Sequence, residues 1–179
     1  MAVDRDGIEG RLLMLTPTGK DPAMAQTVFR RAEIEALACR DLEHLCLELS
    51  LGAGAVLLAE EAFAPGRSHC LVQWIAAQPP WSDLPVLLMT MPGAPSDSVG
   101  RVMEQLGNVT VLERPARIAA LVSAVRSALR ARQRQYQIRA YLAERERNHQ
   151  AQTLLAAIVS SSDDAIVSKT LTSSERRAS

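Results

Sequence analysis

Gly54-Ala55-Val56-Leu57-Leu58-Ala59-Glu60-Glu61 reads as a buried central strand that ends on a short polar step. Residues 55–58 are apolar without in-and-out alternation, the mark of a strand covered on both faces. The same character recurs at residues 11–15 (RLLML) and 84–90 (LPVLLMT), more weakly at 35–39, and again at 109–112. Helical patterns fill the gaps. Asp21 is placed to cap a helix that has Pro22 at its first position and a stripe of Met24, Ala25, Val28, Phe29 and Ala32. Asp41 caps a second helix carrying Leu42, Leu45, Cys46 and Leu49, which Gly52 and Gly54 end. Leu71, Val72, Trp74 and Ile75 mark a third, stopped by Pro79-Pro80. Val99, Val102, Met103 and Leu106 mark a fourth. This alternation predicts an α/β fold: a five-stranded parallel sheet of order 2-1-3-4-5 with helices on both faces. The working crevice of such a sheet lies at the carboxyl ends of its first, third and fourth strands.

Composition bounds what that sheet serves. With 47% apolar and 22% charged residues over 179 positions, the chain has the balance of a soluble, well-cored domain plus an appendage. Formal net charge is zero, so no general attraction to nucleic acid or to an acidic membrane surface is expected. No stretch approaches the roughly 18 consecutive apolar residues of a bilayer span, and Asp4, Arg5, Asp6 and Glu9 interrupt any signal-peptide run. Cys39, Cys46 and Cys70 lie in apolar segments without C-x-x-C spacing and read as buried thiols of a reducing cytoplasm. The expected location is cytoplasmic.

Residues 1–10 are polar, contain two glycines, and read as a flexible leader. After Pro115 neither proline nor glycine occurs, so residues 116–158 are set to run as one helix of about 65 Å. Ile118, Leu121, Val122, Val125 and Leu129 would pack its first half on the sheet. Beyond Leu129 the apolar residues thin to Tyr136, Ile138, Tyr141 and Leu142 among Arg and Gln. A domain at 11–130 would leave residues 131–158 poorly covered. A second copy of the same helix, in a homodimer through a coiled coil, is the simplest cover.

Residues 11–130 resemble a response-regulator receiver domain, and the resemblance can be followed marker by marker. In that family the first strand ends in an acidic pair that holds Mg²⁺, where this chain has Thr16-Pro17. The third strand ends in the phospho-accepting Asp, where this chain has Ala59 followed by Glu60 and Glu61. A Thr or Ser closes the fourth strand, and Thr90 is present. A Lys and a cis-proline follow the fifth, where Arg114-Pro115 stands. The resemblance therefore implies a degenerate phosphorylation pocket, with no metal and no cofactor. A methyl group has no lone pair to attack phosphorus, and Thr16 offers Mg²⁺ one neutral oxygen. Glu60 and Glu61 are expected to be solvated loop residues. The sharper reading, a carboxylate fixed beside Arg114 as a standing charge, is the lesser one. Arg114 itself is expected to pair with Glu113 or Asp83.

The wording LLAEEAFAPG (57–66), QPPWSDLPVLLMT (78–90), LGNVTVLERP (106–115) and RARQRQYQIR (130–139) is similar to receiver-like modules at the front of bacterial sensor histidine kinases. In those proteins the long helix leads to PAS sensor domains and a kinase core. Residues 154–171 (LLAAIVSSSDDAIVSKTL) look like the opening of a PAS domain, a helix then a strand, with 159–179 a truncated and mobile start. The implied partners are a second copy of the chain and the PAS or histidine-kinase domains of a full-length homologue. The implied function is a non-catalytic signalling module that relays a protein–protein or conformational signal along the helix.

Two other readings remain. Thr16-Pro17-Thr18-Gly19-Lys20-Asp21, just before a helix, would suit a small anion or nucleotide in a flavodoxin-like crevice, but it lacks both common phosphate-loop patterns. Arginines between 126 and 147 would touch DNA, yet no helix-turn-helix follows, and a solvated helix is the simpler account.

Overall fold

The computed structural model describes residues 5–16, 21–62, 69–93 and 97–175. Met1–Gln137 form one compact unit and Ile138–Ser179 a second. In the first unit, helix α1 (Arg5–Gly10) precedes β1 (Leu12–Leu15), α2 (Asp21–Arg31), β2 (Ala36–Ala38), α3 (Leu42–Leu51) and β3 (Ala55–Ala59). A single 3₁₀ turn over Glu60–Ala62 follows, then α4 (His69–Ala76), β4 (Val86–Thr90), α5 (Asp97–Leu106) and β5 (Val109–Glu113). The last helix, α6 (Ile118–Glu175), crosses into the second unit.

The five strands form one parallel sheet of order β2-β1-β3-β4-β5, as the alternation predicted. Register is continuous: Leu15 pairs Leu58, Ala59 pairs Met89, and Thr90 pairs Glu113. Because side chains alternate across a strand, each apolar run feeds two cores. Leu13, Leu15, Val56, Leu58, Val86 and Leu88 meet α3 and α4 on one face, around buried Leu45, Leu49 and Leu71. Leu12, Met14, Ala55, Leu57 and Leu87 meet Phe29 of α2 and Val125 of α6 on the other. Asp41 caps α3 as expected, its carboxylate accepting from the His44 N–H at 2.7 Å. Met24, assigned to the α2 stripe, is exposed instead.

Several expectations change. Residues 5–10 are helical rather than a loose leader, and just past α1 the Gly54 N–H donates to the Arg11 carbonyl at 2.8 Å, tying the chain to the start of β3. Cys46 and Cys70 are not free thiols. They are joined as a disulfide, because α3 and α4 are neighbours on one face of the sheet, and 24 residues of sequence hide that proximity. Cys39 is free and buried, and desolvation pushes its thiol up to about 11. The backbone is helical through Glu175, where the PAS-like wording led us to expect a strand.

The domain also covers more of α6 than expected. Arg132, read as part of a solvated tract, is only 3% exposed. Its guanidinium donates to the Ala53 carbonyl (3.4 Å), to Ser82 Oγ (2.7 Å) and to Gln135 Oε1 (2.7 Å). It also lies 4.6 Å from the Tyr136 ring centroid and 5.5 Å from that of Trp81. Tyr136 donates its hydroxyl to the same Ala53 carbonyl at 2.9 Å. Gln135 continues the cluster, bonding the Asp83 backbone at 2.8 and 2.9 Å. This clasp sits where β3 and β4 begin. Arg126 adds a further tie, donating to the Ala32 carbonyl at 2.9 Å.

Candidate functional site at the carboxyl edge of the sheet

A parallel sheet aligns all its strand ends, so the residues that follow β1, β3, β4 and β5 share one rim. Thr16 directly follows β1 and is half-buried. Pro17 lies outside the described residues, as do Thr18, Gly19 and Lys20 of the anion-binding reading. Ala59 is the last residue of β3 and is 0% exposed. Thr90 closes β4 at 6% exposure, and Arg114-Pro115 follows β5 through a cis peptide bond. Backbone pairing extends one step past β5, the Arg114 N–H donating to the Thr90 carbonyl at 2.9 Å. The structure thus brings Ala59, Glu60, Thr90, Arg114 and Pro115 to one rim. Tyr136, Ile138 and Leu142 lie on α6, with Tyr136 held in the clasp at the opposite rim and the other two exposed.

Glu60 and Glu61 lie in the tight turn after β3, Glu60 half-buried and Glu61 exposed as expected, but both carboxylates are engaged. Glu60 accepts from the Met91 N–H at 3.3 Å, and Arg114 Nη2 donates to Glu61 in an ion pair. Arg114 therefore pairs with neither Glu113 nor Asp83; Asp83 belongs to the amino rim, where it accepts from Asn108 at 3.0 Å. The two ends of the ion pair are 53 residues apart, too far for local spacing to signal. Burial pushes the Glu61 carboxyl up, but the hydrogen bond and charge of Arg114 outweigh it and hold the group below its ordinary value. Among the described residues, Arg114 Nε is a buried donor without an acceptor.

What this rim can do follows from its donors. Its described side chains include one buried threonine hydroxyl, one half-buried threonine hydroxyl, two carboxylates already engaged and, at the end of β5, the exposed Glu113. Mg²⁺ takes octahedral oxygen ligands, carboxylates foremost, and these residues do not fit it. No group of three or more His, Cys, Asp or Glu among the described residues is placed to hold a metal ion. Among them, too, no helix is long and apolar enough to cross a membrane.

No family model matches the chain, and no curated protein matches it either. Solved structures do. The signal receiver domain of a signal transduction histidine kinase from Syntrophus aciditrophicus superposes with a TM-score of 0.55 at 19% identity, over 68% of this chain and 91% of that one. The signal receiver domain of an HD domain-containing protein from Pseudomonas fluorescens Pf-5 gives 0.55 at 19% identity, over 69% and 96%. The receiver domain of Francisella response regulator 1452 gives 0.52 at 16% identity, over 68% and 97%. At these identities the likeness is one of fold: the sheet and its helices are those of receiver domains.

Proposed function

We propose that the chain is a pseudo-receiver: a receiver-fold signalling module that takes no phosphoryl group and acts through protein contacts and its long helix. The observation that carries this is the end of β3. A buried methyl group, Ala59, occupies the position where the fold would present its nucleophile, and the neighbouring carboxylates are committed to Arg114 and to the Met91 backbone. In-line phosphoryl transfer needs a nucleophile, a metal and a cation on the equatorial oxygens. Among the described residues of the rim, Arg114 is the counterpart of the cation, and Glu61 already pairs with it. The ion pair supplies a standing contact where a phosphorylated receiver would gain a transient one.

On this reading α6 is the output, shared between two subunits through the exposed face of Ile138 and Leu142 and leading to PAS and kinase domains of a longer homologue. A rigid helix can carry rotation or register change to what it joins. The test is incubation of the full chain with acetyl phosphate and Mg²⁺, followed by intact mass spectrometry. No phosphoryl adduct is expected. Stoichiometric, base-labile labelling would sink the proposal.

A further inference from the structure

The disulfide between α3 and α4 has a setting that a purely structural cross-link does not need. Cys46 and Cys70 are both half-buried, lying on the margin of the α3/α4 core rather than within it. With the bond formed their Cα atoms are 6.4 Å apart, inside the usual bridging span. The open state is also provided for. The Leu42 carbonyl lies 3.5 Å from Cys70 Sγ, within reach of a thiol S–H. Cys39 offers a contrast within the same chain, sealed in the core with its thiol pushed up to about 11 and without a partner sulfur.

Helix α4 is the element with most to lose. It spans eight residues and has one fully buried side chain, Leu71, and its main helical neighbour is α3. So short a helix has little stability of its own. The ring that the disulfide closes contains β3 and the turn bearing Glu60 and Glu61.

We propose that Cys46 and Cys70 form a reversible dithiol–disulfide couple that pins α4 to α3 when oxidised and releases it when reduced. The oxidant is a low-molecular-weight disulfide. One protein thiolate attacks it, forming a mixed disulfide and expelling one small thiolate. The second protein thiolate then attacks the protein sulfur of that mixed disulfide and expels the other. Two protein thiols lose two electrons and two protons, and one small disulfide becomes two small thiols. Two small thiols reverse both steps and are returned as one small disulfide. The proposal stands apart from the pseudo-receiver reading, since it requires nothing of Ala59 or Arg114.

The experiment uses the full chain equilibrated with oxidised and reduced glutathione at graded ratios, trapped by alkylation and read by mass spectrometry. One two-electron transition is expected, confined to Cys46 and Cys70 and retained in Cys39→Ser. Hydrogen exchange within residues 69–76 is expected to accelerate roughly tenfold or more on reduction, while β3 stays protected. Cys46→Ser with Cys70→Ser should show the fast exchange at every ratio. Failure of the pair to oxidise in native buffer, or equal protection of residues 69–76 in both states, overturns the proposal.

Discussion

Arg114 and Glu61 form an ion pair across the carboxyl rim, the guanidinium arriving just past β5 and the carboxylate from the turn after β3. The pair fixes the sign of one pH dependence. A carboxyl held below its ordinary value of 4.5 in the folded state contributes stability above that pH, and the contribution is lost as pH falls through the folded value. Glu61 is partly exposed, so solvent screening keeps the contribution small. A carbon-detected titration of the Glu61 carboxyl should report a midpoint under 4.5. Arg114→Gln should raise that midpoint, because burial is then opposed only by the hydrogen bond from the Glu61 backbone; an unmoved midpoint contradicts the pairing.

Ala59→Asp tests whether restoring a nucleophile restores chemistry. The site is fully buried among apolar strands, so the new carboxyl lacks solvent and should cost about 1–3 kcal/mol of stability in urea unfolding. Labelling by acetyl phosphate should still be absent, since Thr16 and Thr90 supply no carboxylate for Mg²⁺. Robust labelling of this variant would show that a metal cage persists.

Arg132 is the residue whose loss should loosen α6. Arg132→Ala removes charged hydrogen bonds to Ala53, Ser82 and Gln135 and the cation beside the Trp81 and Tyr136 rings, an expected loss of about 2–4 kcal/mol. Arg132→Lys keeps the charge without the planar fork and should recover only part of it. Tyr136→Phe removes one bond to the Ala53 carbonyl, roughly 1 kcal/mol. Thermal melts followed by tryptophan fluorescence would rank the three, and a neutral Arg132→Ala would refute the clasp.

Gly54 is required by proximity. A Cβ there would fall 2.6 Å from Leu129 Cδ2, 3.0 Å from the Glu9 carbonyl oxygen and 3.1 Å from the Gly10 carbonyl carbon. The leucine can turn aside but the α1 backbone cannot without moving. Gly54→Ala should destabilise by about 1–3 kcal/mol, with faster exchange in residues 5–10 as the local signature. Unchanged protection there would mean α1 is not held by this approach.

Association through α6 is checked by charge. Ile138 and Leu142 are 53% and 47% exposed, and glutamate at both would place like charges on any shared seam. If the proposed dimer forms through α6, sedimentation should show a dimer for the unaltered chain and a monomer for the double variant, with the unfolding midpoint of the receiver-fold unit unchanged. Equal sedimentation of the two proteins would remove α6 from the interface.

What could be read directly from the sequence was whatever short-range pattern carries. Apolar runs such as residues 55–58 and 86–88 announce strands covered on both sides, and Asp41 before Leu42 announces a capped helix. The cis bond at Arg114-Pro115 followed from the family resemblance, as did the gathering of Ala59, Thr90 and Arg114 at one rim. Long polar side chains were misjudged, because their burial depends on which distant backbone lies opposite. Arg132 looks like its neighbours Arg130 and Arg134 until Ala53 and Ser82, 79 and 50 residues away, supply acceptors. The Cys46–Cys70 bond and the Glu61–Arg114 pair were hidden for the same reason.

The clasp around Arg132 and the ion pair at Arg114 stand at opposite tips of β3 and β4, and Val56, Leu57, Leu58, Val86, Leu87 and Leu88 fill the span between them with hydrocarbon. No proton wire or relay of charges runs along that span, so neither tip can sense the other electrically at close range. Removing the charge of Arg114 is therefore expected to leave the hydrogen bonds of Arg132 in place, since the strands between them hold hydrocarbon alone.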